Sequence, residues 1–263
     1  MSFFRIKFIA GLQYRAAALA GIATQFAWGF MKILLYKTFY SENPDTFPMT
    51  IQAVSSYIWL HEAFFTLFMI CIFDNEIFHM ITGGGIAYEM CRPVDIYNMW
   101  FVRNIANRNS KVLLRAVPIL LVAVFLKEPY GLKPPAGLHA GIWFLITTFF
   151  GLLVAVAVCM LIYILTFFTM SPSGIRIIFL GLSEFFTGSA IPLPFLPKNI
   201  RLIVELMPLA SIQNVPLRIY SGDIHGSEIY EKALLQLFWL IVLVIFGRKL
   251  VGKAERRIIV QGG

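Results

Sequence analysis

Three stretches of this 263-residue sequence hold residue types that could do chemistry. "GRKLVGKA" (residues 247–254) fits the G-x-x-x-x-G-K spacing with which a loop cradles phosphate. It has no Ser or Thr after the lysine to hold magnesium, and no apolar strand of a βαβ unit precedes it, so nucleotide binding by this chain is not expected. "TGGGIA" (82–87) is glycine-rich without the G-x-G-x-x-G spacing, and "SPSG" (171–174) offers a serine with no histidine nearby. His61, His79, His139 and His225 stand in four separate places, and Cys71, Cys91 and Cys159 are widely spaced. Neither set has zinc, haem or redox spacing. No catalytic residue, metal site or cofactor is therefore expected in this chain, and enzymatic chemistry is not its task.

The elements that must hold the remaining polar residues are apolar. The chain is 59% hydrophobic and 14% charged, against about 45–50% apolar and about 25% charged in a soluble domain. This is the composition of an all-α integral membrane protein in a single domain. A span needs roughly 20 mainly apolar residues, and six segments approach that: 16–40, 55–73, 112–126, 140–170, 174–191 and 233–250. No cleavable signal peptide is expected. Phe4, Phe8 and Leu12 recur at helical spacing beside Arg5 and Arg15, which predicts an interfacial helix leading into the first span.

Direction follows from Lys and Arg. With the N-terminus inside, fourteen of the 22 basic residues fall on the cytoplasmic side, seven outside, and Lys32 within a span. Both termini are then cytoplasmic. The net charge of +8 needs no nucleic acid to explain it, because a basic inner face beside anionic lipid has the same signature. The largest cytoplasmic element is the loop 74–111. The largest outer one is 192–232, where Pro192, Pro194, Pro197, Pro208 and Pro216 forbid one continuous helix. That segment is too broken to span and too apolar for a free loop, so it is expected to dip back into the outer leaflet, with a short helix between Pro197 and Pro208.

Inside the spans, Lys32 lies about eight residues from the outer end of span one, and His61 and Glu62 about seven from that of span two. An unpaired charge at such a depth costs about 2.5–3.5 kcal/mol or more, which predicts a Lys32–Glu62 contact, with His61 beside it. Glu184 stands late in span five, where it would snorkel to the outer interface or close an outer gate. Gln25, Trp28 and Tyr57 are positions that could meet an amphipathic substrate, or simply pack.

A cytoplasmic helix after span two and a proline-broken segment before span six form one constellation. It resembles the membrane subunits of type-2 ATP-binding-cassette exporters, and in particular short bacterial permeases. The phrases that carry the likeness are "LQYRAAALAGIATQF" (12–26), "IAYEMCRPVD" (86–95), "IYILTFFTMSPSGIRIIF" (162–179), "IPLPFLP" (191–197), "RIYSG" (218–222) and the terminal "QGG" (261–263). The resemblance implies a multi-pass protein of the bacterial plasma membrane that forms half of a transport route for a hydrophobic or amphipathic compound, a drug-like molecule or a lipid. It also implies a second permease, similar or identical, and separate ATPase subunits, which would carry the ATP and magnesium. The helix between spans two and three would be the coupling helix that docks on the ATPase. Gly83, Gly84 and Gly85 would turn the backbone, Ile86, Tyr88 and Met90 would anchor, Glu89 and Arg92 would give charge-assisted contacts, and Pro93 would end the helix. Glu184, Pro192, Pro194 and Pro197 would belong to the outer gate. The competing class is an ion-coupled secondary transporter relaying through Lys32, Glu62 and Glu184, although the inverted repeats common in such folds are not seen.

Overall fold

The computed structural model describes Arg5, Ile9 and residues 15–42, 47–91 and 93–255. Arg5 and Ile9 are helical and exposed. Phe4, Phe8 and Leu12 of the expected interfacial helix, Arg92, and the terminal Gln261, Gly262 and Gly263 lie outside the described residues.

Regular structure among the described residues is helical. The order is α1 (Arg15–Glu42), α2 (Ile51–Ala63), α3 (Phe65–Phe68), α4 (Asn75–Thr82), α5 (Ile86–Met90), α6 (Ile96–Phe125), α7 (Leu138–Thr169), α8 (Pro172–Phe186), a 3-10 turn (Leu193–Phe195), α9 (Lys198–Glu205), α10 (Asn214–Ser221) and α11 (Glu228–Glu255). Their starts follow local chemistry. Thr50, Asp74 and Asp95 each accept a backbone N–H with the side chain at the N-caps of α2, α4 and α6, and Pro172 opens α8 where its missing N–H costs nothing.

α7 is the axis of the bundle. Two-thirds of its most apolar window is buried, against 17% for α1 and α11, and it packs on α3, α4, α6, α8, α10 and α11. Val154 to Val158 and Ile162 to Ile164 are enclosed on all sides. α1, α2 and the upper half of α6 form a second layer around Ile33, Ile58, Trp59, Ala116 and Ile119. α1 and α11 turn large apolar side chains outward, among them Trp28, Leu34, Phe39, Phe238 and Ile245, which suits a surface that meets lipid or another apolar chain.

Three of the described helices are long and apolar enough to cross a membrane: Leu19–Glu42, Leu138–Thr169 and Glu228–Ala254. The other three expected spans have a different form. The segment 55–73 is not one helix: α2 begins at Ile51, is interrupted at Phe64 and gives way after Phe68 to non-helical chain. The segment 112–126 is the upper half of a 30-residue helix, so the second half of the expected loop 74–111 is helix too. The charges at Arg103, Arg108, Lys111 and Arg115 lie along that helix, and they hid its continuity. The segment 174–191 shortens to the 15 residues of α8, which ends at Gly188 in a left-handed conformation (φ +80°).

Candidate functional site

The knob, residues 74–95, is built from its base upward. Asp74 has three partners: Oδ1 accepts from the N–H of Glu76, and Oδ2 accepts from Arg103 Nε at 2.5 Å and Asn107 Nδ2 at 3.0 Å. Its own N–H donates to the Tyr163 hydroxyl at 2.7 Å, which ties the base to α7. Arg103 also bonds Glu76. Burial works against the Arg103 charge, but Asp74 and Glu76 outweigh it and hold the guanidinium above its ordinary value.

α4 then runs to Thr82, and the three glycines reverse the chain, Gly84 in a left-handed conformation (φ +74°) that a side chain would strain. α5 returns toward α6. Glu89 accepts the Trp100 indole N–H at 2.7 Å, and Ile86 is buried in the chain's own core. Tyr88 points the other way and is 82% exposed, the most exposed tyrosine or large apolar side chain of the knob. α5 ends at Met90 with Cys91 as C-cap, two residues short of the exposed Pro93. Of the expected docking residues, the structure therefore commits Glu89 to an internal bond and leaves Tyr88 outward.

A second group gathers where α1 and α2 meet the proline-broken segment. Lys32 Nζ lies 3.0 Å from Glu62 Oε1, and His61 Nε2 lies 3.9 Å from the same oxygen. His61 Nδ1 meets Gln213 Oε1 at 3.0 Å, Gln213 Nε2 donates to Thr187 Oγ1 at 3.4 Å, and Tyr57 donates its hydroxyl proton to the Gly188 carbonyl at 3.2 Å. Lys32, His61, Tyr57, Ser189 and Pro192 line one very small cavity. The structure thus joins two sets the sequence kept apart, the polar residues of α1 and α2 and the proline-broken outer segment. Gln25 is buried with neither end of its amide partnered among the described residues, and Trp28 is half exposed on α1.

The proline-broken segment, expected on the outer side, is seated between helices. Residues 210–214 are buried, and Gln236 from α11 donates to the carbonyls of Ser211 at 2.7 Å and Thr147 at 3.1 Å. Gly151 on α7 makes room for this turn: a Cβ there would stand 2.0 Å from the Ile212 carbonyl oxygen. Over residues 26–262 the sequence matches the family described as ABC-2 family transporter protein. The chain belongs to that family. No curated protein matches it.

ABC-2 family membrane proteins are transport components embedded in the membrane, not catalysts, and they work with ABC ATPase partners. In this ABC-2 chain the three stretches that looked chemical have other roles. "GRKLVGKA" lies within α11, whose backbone N–H groups are spent on the helix, and Gly247 is needed where a Cβ would stand 2.9 Å from the Tyr97 ring. "TGGGIA" is the turn of the knob, and "SPSG" starts α8. Among the described residues no group of His, Cys, Asp and Glu could hold a metal ion.

Around the outer segment, Pro192 precedes the 3-10 turn, Pro194 is buried within it, and Pro197 precedes α9. Glu184 is half-buried on α8, one turn before Gly188. Gly188 meets α2 at Tyr57, in its second turn, so α8 stops short of the level at which α2 begins. Glu205 at the end of α9 is the centre of an ion cluster with Arg218 at 2.6 Å, Lys232 at 2.8 Å and Arg201 at 2.9 Å, and Arg218 also holds Asp223 at 2.5 Å. Burial raises the Glu205 carboxyl, and the three cations outweigh it, bringing it down to about 2. Of these contacts only Arg201–Glu205 has a spacing, i,i+4, that is visible in one dimension. Sequence reading missed Gln213 and Gln236. The second had a signal, a lone amide inside an otherwise apolar span, where a polar side chain marks a required hydrogen bond.

Proposed function

We propose that this chain is the permease half of an ATP-driven exporter of the bacterial plasma membrane. It contributes half of a route for a hydrophobic or amphipathic substrate, and a second permease, similar or identical, completes the route. α2 with α3, the upper half of α6, and α8 complete the three long apolar helices to a six-span bundle with both termini cytoplasmic. The knob 74–95 is the coupling element, with Gly83, Gly84 and Gly85 as its turn, Tyr88 as its outward anchor, Glu89 braced on Trp100, Arg92 as a charge-assisted contact to the ATPase, and Pro93 following α5. The observation that carries this reading is the pairing of an exposed Tyr88 with a base braced by Asp74, Arg103 and Trp100. A lever needs a free tip and a stiff root. Lys32 and Glu62 lock α1 to α2, and the neighbouring outer segment with Glu184, Pro192, Pro194 and Pro197 forms the outer gate.

The deciding experiment purifies the tagged chain from its native membrane and asks which proteins accompany it. The expected result is an ABC ATPase, with vanadate-sensitive transport in vesicles. Tyr88→Ala combined with Arg92→Glu is expected to reduce that association and uncouple transport. Transport that runs on a proton gradient without ATP, or a wild-type phenotype for the double variant, would remove the assignment.

A further inference from the structure

Arg108 has no part in the roles described so far. Sequence alone places it with the basic cytoplasmic surface, yet its side chain is fully buried. It lies between α3, α6 and α7, where the chain leaves α3 and runs without helix to Asp74. A helix that stops inside protein leaves carbonyls without partners, and they must be satisfied. Arg108 does this. Its Nη1 donates to the carbonyls of Leu67 and Met69, both at 2.8 Å, and approaches that of Thr66 at 3.5 Å. Its Nη2 reaches Cys159 Sγ at 3.1 Å and the Ile72 carbonyl at 3.4 Å. Cys159 on α7 in turn meets the Ile70 carbonyl at 3.4 Å. No carboxylate pairs with Arg108 among the described residues; its charge faces the carbonyl ends of peptide dipoles, which favour a cation.

The geometry matters for motion because of what lies on either side. Above the link, α2 carries Glu62 and His61. Below it, the knob is fastened to α6 by Asp74–Arg103 and Glu89–Trp100, and to α7 by Asp74–Tyr163. An unbroken helix through residues 65–74 would bond the same carbonyls to its own N–H groups four residues on. Arg108 competes with that arrangement and favours the broken one. We propose that Arg108 is a positioning residue of the transport cycle: it pins the non-helical link 69–74, so that the knob moves as one piece with α6 and α7 and not as an extension of α2. The proposal rests on the knob being the coupling element.

The test compares Arg108→Met, Arg108→Lys and Cys159→Ala in the complex with its ATPase, reading substrate moved per ATP hydrolysed. Arg108→Met removes all the bonds and is expected to lower that ratio by about tenfold while hydrolysis continues; Arg108→Lys, with a compact head that cannot span the carbonyls, falls between, and Cys159→Ala costs about twofold. A wild-type ratio in Arg108→Met overturns the proposal. A second reading needs no ATPase: alkylation of Cys71, which lies in the link and is half-buried, in membranes holding the chain alone. Cys159→Ala and Arg108→Lys are expected to speed it several-fold by loosening the link, and an unchanged rate in both overturns the pin even if Arg108→Met does not fold. Absence of any ATPase from wild-type preparations would instead remove the coupling reading, and the alkylation result would still decide whether Arg108 holds the link.

Discussion

Two of the irregular stretches, the knob 74–95 and the proline-broken outer segment from Thr187 to the start of α11, are handled in opposite ways. Among the described residues the knob is tied through Asp74, Ile86 and Glu89, and its turn and the Tyr88 ring lie open. In the outer segment the turn 210–214 is buried, and side chains from two flanking helices bond the segment: Tyr57 and His61 of α2 meet the Gly188 carbonyl and Gln213, and Gln236 and Trp239 of α11 donate to the carbonyls of Ser211 and Leu206. On the topology proposed above, the difference follows from the solvent. Irregular backbone in an apolar slab is tolerated only where protein satisfies it, whereas a loop in water can leave its groups to the solvent. Buried irregularity is thus costly to disturb, and exposed irregularity is free to serve a partner.

The largest effect expected on this comparison is at Gly151. Any side chain there meets the Ile212 carbonyl, and that atom belongs to the backbone and cannot rotate away. Gly151→Leu is expected to push the re-entrant turn from its seat and cost about 3 kcal/mol or more, at the upper end of overpacking changes. Yield of monodisperse protein in detergent and its thermal midpoint measure this. A Gly151→Leu protein as stable as wild type would mean that the turn is not held against α7.

Next comes the Glu205 cluster, through pH. The folded-state carboxyl sits near 2, below its ordinary range around 4.5, because Arg218, Lys232 and Arg201 outweigh the effect of burial. Its stabilising contribution is therefore complete above about pH 5 and is lost as pH falls toward 2, a change of about 2–3 kcal/mol by linkage. Glu205→Gln should lose stability at neutral pH and flatten the profile between pH 5 and 2. A parallel acid profile in wild type and Glu205→Gln would show that another carboxylate sets that limb.

Much of this architecture was legible in the sequence, and the residues that were not share a reason. Lys32 and Glu62 could be paired because each sits at a countable depth along a helix, and the structure places them 3.0 Å apart. The five prolines announced a broken segment, and the glycine run announced a turn. Arg108 was misplaced with surface charge because one dimension cannot show that a helix ends beside it and presents bare carbonyls. The break after Phe68 was invisible for the same reason: "FTLFMICIF" is apolar throughout, and its interruption depends on an arginine some 40 residues later. Sequence gave the depth of a charge but not the partner that a crossing helix supplies.

The Lys32–Glu62 pair tests whether the polar node is a lock. Either single reversal, Lys32→Glu or Glu62→Lys, leaves two like charges in apolar surroundings and is expected to cost about 2.5–3.5 kcal/mol. The double reversal should recover a part of this, short of the whole because His61 and Gln213 are arranged around a carboxylate on α2. A double variant no better than the sum of the singles would show that the two residues contribute independently, and α1 would then be held by its other contacts, among them Phe26 and Phe30 on Trp59 and the Tyr40 hydroxyl on the Met49 carbonyl.

The smallest effect on stability is expected at the tip of the knob, and it sharpens the comparison most. Tyr88→Ala removes a ring that touches water over most of its surface, and surface changes of this kind stay within about 0.5 kcal/mol. The thermal midpoint of the purified chain should not move, while Trp100→Phe, which strips the indole donor from Glu89 at the root, should lower it, because stability falls by the value of one hydrogen bond to a carboxylate, about 1.5–3 kcal/mol. The order of the two matters more than either size. A Tyr88→Ala chain that unfolds earlier than Trp100→Phe would mean that the tip is held by the chain itself. The stiff root and free tip would then be exchanged, and the knob would resemble the outer segment, closed on its own protein with nothing left to offer a partner.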